Sequence, residues 1–146
     1  MMQSMEVDRN GLEVLDRDEC LRLLASATLG RIGFTSGALP TVLPVNFHLD
    51  GERILVRTGR GSKLDAALQN AVVAFEVDDF DPIYHSGWSV AVTGVATEIS
   101  DPGEGDAARR KPVARWAPAG DAAVLAISTE VVSGRRIAAG SLPMRR

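Results

Sequence analysis

Residues 40–58 read PTVLPVNFHLDGERILVRT. Leu43, Val45, Phe47 and Leu49 recur at every second position, the period of a strand with one buried face. Asp50-Gly51 interrupts the alternation, and Glu52–Thr58 resumes it. A type I′ turn needs positive φ at both central residues, and Asp-Gly supplies them, so the stretch reads as a hairpin of strands 40–49 and 52–58.

The same reading extends in both directions. Arg31–Thr35 is a strand, ended by a turn at Ser36-Gly37. Val72–Asp78 and Trp88–Ile99 are strands, with Asp79–Gly87 as the loop between them. Ala123–Val132 is a long strand, Ser133-Gly134 turns it, and Arg135–Ala138 pairs briefly. Two helices interrupt the strands. Asp16 with Glu19 three residues later forms a capping box. Cys20, Leu21, Leu24 and Thr28 continue it as an apolar stripe, with Gly30 as a left-handed cap, which predicts a helix over 17–28. Ser62–Asn70 is a second helix, capped by Ser62 with Asp65 three residues on, and residues 106–116 are helical up to Pro112.

Six strand candidates and short helices predict a mainly β (α+β) fold, an antiparallel sheet closing into a barrel of about six strands, because closure removes exposed edges. One domain spans 1–146, with 1–11 as a loose lead-in and 139–146 as a loose tail. Apolar residues are 45% and charged residues 24%, a globular composition. No apolar run reaches the roughly 20 residues of a membrane span, and no basic start precedes an apolar stretch. A cytoplasmic protein is expected. The net charge of -3 and the 5% aromatic content argue against nucleic-acid binding. The single cysteine excludes an internal disulfide, and two histidines leave no metal cluster, so no metal is expected.

Two segments carry candidate chemistry. On the face of strand 40–49 opposite the apolar one stand Val42, Pro44, Asn46 and His48. Pro44 has no N–H, so this strand needs an edge, a bulge or a gap there. A flat ligand on that face and a solvated edge strand both fit the pattern. The second segment is Arg57-Thr58-Gly59-Arg60-Gly61-Ser62-Lys63-Leu64, which leaves a strand through two glycines and opens a helix. Free N–H groups, hydroxyls and Lys63 coincide there, as a phosphate requires, while a plain capped helix is the alternative. The spacing is not that of a Walker loop. No G-x-S-x-G elbow is present, and neither His48 nor His85 has a partner by spacing. Cys20 reads as core, Asp78, Asp79 and Asp81 as an acidic loop, and Trp88 and Trp116 as core or as lids over an aromatic ligand. A phosphate site without an acid, base or nucleophile set points to chemistry done by a bound cofactor.

The ordered series Gly30-Arg31-Ile32-Gly33-Phe34, Pro44-Val45-Asn46-Phe47, Asp50-Gly51, Thr58 with Gly61-Ser62-Lys63-Leu64, Val73–Val77 and Gly87-Trp88-Ser89-Val90 with Gly94 resembles the pyridoxamine 5′-phosphate oxidase-like family. The resemblance runs from about Leu12 to Ile137. It implies a six-stranded split β-barrel, a homodimer, and FMN in a cleft at the subunit interface. By similarity, Pro44, Val45, Asn46 and Phe47 line the isoalloxazine, and Thr58, Ser62, Lys63 and Leu64 form the phosphate loop. Trp88 and Ser89 approach from the facing strand of the partner. The expected activity is hydride transfer between the flavin and a small organic substrate. Members of the wider family that use the deazaflavin F420, or that bind a ligand without turnover, give the two alternatives. The chain departs from true pyridoxine-phosphate oxidases where Leu64 follows Lys63 in place of a second basic residue, and where Gly134–Ile137 lacks a histidine. Both departures weigh against vitamin B6 as the substrate.

Overall fold

The computed structural model describes residues 5–99 and 122–137. They form β1 (Glu13–Leu15), α1 (Arg17–Ala25), β2 (Leu29–Ser36), β3 (Leu39–Asp50), β4 (Arg53–Gly59), α2 (Lys63–Leu68), β5 (Ala71–Asp81), β6 (Ser86–Glu98), β7 (Ala122–Ser128) and β8 (Val131–Ile137). The ladder runs β6-β5-β2-β3-β4-β7, and β7 pairs back onto β6, so these six antiparallel strands close a split barrel. The expected six-stranded barrel is therefore present, and β8 and β1 extend it as a side sheet. No helix among the described residues is long and apolar enough to cross a membrane.

The split originates in β6. Residues Gly87–Thr93 pair with β8, and Ala96–Glu98 pair on the same edge with β7. Gly94 lies at the changeover, beside the turn that joins β7 to β8, and a Cβ there would run into the Ser128 carbonyl. The Ser128 hydroxyl accepts from Val95 N at 3.0 Å and so occupies the gap in the ladder.

Inward-facing Ile32, Phe47, Ile54, Val56, Phe75, Val92, Leu125 and Ile127 fill the barrel, with Phe47 and Phe75 edge-to-face at 4.9 Å. Helix α1 is capped by Asp16, whose side chain accepts from Glu19 N, and buries Cys20, Leu23 and Leu24. Cys20 is thus core, as its position on the stripe predicts.

Several boundaries differ from expectation. Helix α1 ends at Ala25, and Gly30 lies within β2, where a side chain would collide with the Phe75 ring. Its glycine serves close packing and not a cap. The first hairpin turn is Gly37-Ala38, both at positive φ, one residue later than Ser36-Gly37. In the next hairpin Asp50 pairs with Arg53, so the turn is Gly51-Glu52 with positive φ at Gly51 alone. That is the type II′ pattern, which also suits the twist of a hairpin. Asp79 and Asp81 belong to β5, which leaves only residues 82–85 as a loop. The single strand expected over 123–132 is two strands, and Ser133-Gly134 lies inside β8. The lead-in over 1–11, expected to be loose, is pinned where Val7 bridges Glu13, and β1 after it pairs with β8. The helix expected over 106–116, Trp116 and the tail 139–146 lie outside the described residues.

Candidate functional site

Strands β3 and β4 pair only from Phe47↔Val56 to Asp50↔Arg53. Beyond Phe47 they part. Strand β3 continues along β2, from Asn46↔Leu29 to Leu39↔Ser36, while β4 continues along β7 from Arg57 to Gly59. Among the described residues, the side of β3 that turns away from β2 has no strand partner over 39–46. Of the edge, bulge or gap that Pro44 requires, the fold supplies an edge. Val42, Leu43 and Pro44 are exposed there, and Asn46 and His48 are half-buried. Val45 and Phe47 point inward and belong to the core, so only their backbone faces the opening. An unpaired run of N–H and C=O groups beside apolar surface fits a flat heteroaromatic ring with donors and acceptors on its rim.

The other margin of the opening is the turn from β4 into α2. Ser62 is the N-cap, and its hydroxyl accepts from Asp65 N at 3.1 Å. The Asp65 carboxylate is buried and gathers the turn around itself. Gly61 N donates to Oδ2 at 2.9 Å, and the Thr58 hydroxyl and Gln69 Nε2 donate to Oδ1 at 3.0 and 3.1 Å. Burial works against its charge, yet the Gly61, Thr58 and Gln69 donors outweigh burial and hold the carboxyl below its ordinary range. Thr58 is buried and commits its proton to Asp65, Leu64 packs against the core, and Lys63 stands exposed at the rim with Ser62 beside it. Arg60 pairs with Glu98 at 2.7 Å. The residues of this turn free to meet an anion are therefore Lys63 and the Ser62 hydroxyl. Asp65 is the residue the sequence reading missed. Its signal was the capping position three residues after Ser62 in a glycine-rich turn.

Trp88 and Ser89 lie elsewhere. Both are half-buried in β6, where Trp88 stands between Asp79 of β5 and Arg136 of β8, and Ser89 between Asp78 and Arg135. Two hollows of about 270 and 180 Å³ adjoin Trp88. Arg136 is tied to Glu19 at 2.6 Å, and Arg135 to Asp8 at 2.9 Å. From β3 to β6 the order is β3-β2-β5-β6, three strand spacings or roughly 14 Å around the barrel. One chain therefore joins the β3 edge and the 58–64 turn at one opening, and holds Trp88 and Ser89 away from it. Among the described residues no group of histidine, cysteine and acidic side chains is arranged to hold a metal ion.

The outer surface between those two regions carries a row of small and apolar residues beside charged ones. Val42, Gly33, Ala74, Thr93 and Val131 lie in register across five strands. Val42, Val72 and Val131 are 65, 70 and 62% exposed.

This architecture, a six-stranded split barrel with an open strand edge facing a glycine-rich turn, defines a class of small barrels. A family model described as pyridoxamine 5′-phosphate oxidase matches residues 16–136. The chain belongs to that family. It is 45% identical over 132 residues to an uncharacterized protein, Rv0080, of Mycobacterium tuberculosis, covering 87% of this chain and 86% of that one. Among solved structures it is similar to the FAD binding protein from Mycobacterium smegmatis, at 34% identity and a TM-score of 0.73, covering 86% of this chain and 97% of that one. It is also similar to a conserved protein of unknown function from Corynebacterium diphtheriae, at 31% identity and a TM-score of 0.71, covering 85 and 96%.

Proposed function

We propose that this protein is a flavin-binding oxidoreductase that works as a homodimer in the cytoplasm, on a small organic substrate. The observation that carries the reading is the unpaired edge of β3 over 39–46, set against the Ser62–Lys63 rim across one opening. The backbone of Pro44–Phe47 offers donors and acceptors to the isoalloxazine rim, and Val42 and Pro44 offer it apolar contact. Ser62 and Lys63 hold the phosphate end, while Asp65 and Thr58 fix the turn that presents them. A bound flavin supplies hydride transfer, and the chain supplies position, an apolar wall and exclusion of water. One lysine and one hydroxyl suit a single phosphate group, as in FMN. FAD is the second reading, favoured by the Mycobacterium smegmatis relative named for binding it. The mass and visible spectrum of the small molecule that copurifies distinguish FMN, FAD and the deazaflavin F420.

The separation of the two halves of the site supports the homodimer. In this reading, Trp88 and Ser89 of a second copy, seated over the outer face of β2 and β5, meet the β3 edge. Light scattering at micromolar concentration is expected to give the mass of two chains, and a flavin-bound monomer contradicts the reading.

Lys63→Ala is expected to weaken flavin binding about ten- to hundredfold, because a charge-assisted hydrogen bond contributes roughly 1.5–3 kcal/mol. Melting of the flavin-free protein should hardly move, since an exposed first-turn lysine is mildly disfavoured by the helix dipole. The check is a flavin titration beside a thermal melt. An unchanged affinity, or an equal collapse of the flavin-free protein, places the anion elsewhere.

A further inference from the structure

Glu76 and Asp78 stand two residues apart on β5 and so share its outer face. Arg31 reaches both from β2, with Nη1 at 3.0 Å from Asp78 Oδ2 and 3.7 Å from Glu76 Oε1. One guanidinium thus serves two carboxyls. Asp78 takes the hydrogen bond, and Glu76 Oε1 is buried and takes none. Among the described residues, no other charge faces the cluster from the neighbouring strands. On β6 the opposite residues are Ala91 and Ser89, on β2 Arg31 is followed by Pro44 of β3, and beyond Ser89 the β8 residue Arg135 is engaged by Asp8. Fully ionised, the cluster carries one net negative charge, and a single proton makes it neutral. Burial and the adjacent Asp78 carboxyl push Glu76 up to about 7, against the pull of Arg31.

The cluster lies on the same outer face as Val42, Val72 and Val131. That face separates the β3 edge from Trp88 and Ser89, so it is the face a second copy covers when one copy's Trp88 meets the other's β3. A two-fold interface uses the same patch twice and brings two such clusters into one dry contact. An unbalanced charge becomes costly when water is removed from it.

We propose that the Arg31–Glu76–Asp78 cluster makes the pairing of two copies across this face proton-dependent, each cluster holding one shared proton in the paired state. The inference rests on the two-copy reading above. Pairing takes up a proton wherever the free copy has Glu76 ionised. The dissociation constant therefore rises with pH above about 7, by up to tenfold per pH unit for each proton taken up.

The test is sedimentation of the full chain between about pH 6 and about pH 8.5, with one fixed urea concentration added if association is too tight to resolve by dilution. Wild type should dissociate at least tenfold more readily at the upper end. Glu76→Gln, which imitates the protonated form, should give one constant throughout. Asp78→Asn leaves Glu76 a plain partner for Arg31 and should also flatten the profile. A wild-type dimer indifferent to pH, or a Glu76→Gln variant that keeps the wild-type slope, overturns the proposal and leaves the two-copy reading standing. A monomer at every pH overturns both.

Discussion

Gly94→Ala is expected to lower Tm by about 10 °C, a destabilisation of about 3 kcal/mol or more. An added Cβ meets the carbonyl oxygen of Ser128 and, at 2.8 Å, its carbonyl carbon. These are backbone atoms and cannot swing aside as a side-chain end can. They also belong to the turn where β7 gives way to β8, which Val95 fixes through the Ser128 hydroxyl. Either β6 withdraws and loses its pairing with β7, or the turn shifts and loses it from the other side. Gly33→Ala is the internal comparison. It is a strand glycine of the same sheet, but its added Cβ meets Ala74 Cβ at 3.6 Å, an ordinary contact. That variant should stay within about 1 kcal/mol of wild type. Melting curves of the two side by side decide the matter, and equal melting temperatures contradict this account of the split.

Asp65→Ala should cost about 2–3 kcal/mol, because it leaves the buried Thr58 hydroxyl and the part-buried Gly61 N–H and Gln69 amide without their acceptor. The effect is also pH-dependent with a fixed sign. The folded carboxyl lies below its ordinary value, so its contribution is complete above that value and fades as acid protonates it. Urea midpoints of wild type and Asp65→Asn should therefore converge as pH falls below about 4. A constant gap across that range means that the charge on Asp65 does not matter to the fold. Flavin affinity of the variants should fall as well, since the turn that presents Ser62 and Lys63 loses its centre.

Much of the barrel was legible because its strands carry local signals. The hairpin of β3 and β4 is announced by alternation on both sides of Asp50-Gly51, and of the edge, bulge or gap that Pro44 allowed the fold uses an edge. The failures share a cause. Gly30 and Gly51 were visible as glycines, but a glycine that caps a helix and one that admits a phenyl ring look alike until the ring is placed. The turn from β7 to β8 was missed because Thr129-Glu130 contains no glycine, proline or asparagine. It is stabilised from a distance: the Thr129 hydroxyl donates to Glu52 O and accepts from Arg17 Nη2, and Arg17 Nη1 donates to the Thr129 carbonyl. Strand β5 runs on through Asp79 and Asp81 because there both faces of the ribbon are exposed, so polar residues carry no penalty. In the candidate site, the unpaired stretch of β3 and the capped turn at Ser62 were legible from local composition. The central role of Asp65 was not, since a buried carboxylate is recognised by its donors. Nor was the Arg31–Glu76–Asp78 cluster, which depends on the register of β2 against β5.

The way the ring closes also sets an order of events as the chain is made. Through Glu98, synthesis yields β6-β5-β2-β3-β4, an open sheet whose two outer strands both await a neighbour. Both places are filled by the same seven residues, Ala122–Ser128. Until that segment emerges, the nascent barrel exposes the unpaired flank of β4, with Ile54, Leu55 and Val56 in its middle, together with an end of β6. Such flanks recruit strands from other chains. The partner that quenches them must come from far along the sequence, with Gly59 meeting Ala122, a contact that forms slowly compared with the hairpins made before it. A ribosome that stalls before Ala122 therefore releases a sticky five-stranded sheet, and one that has passed Ser128 releases a ring in which neither of those flanks is left open.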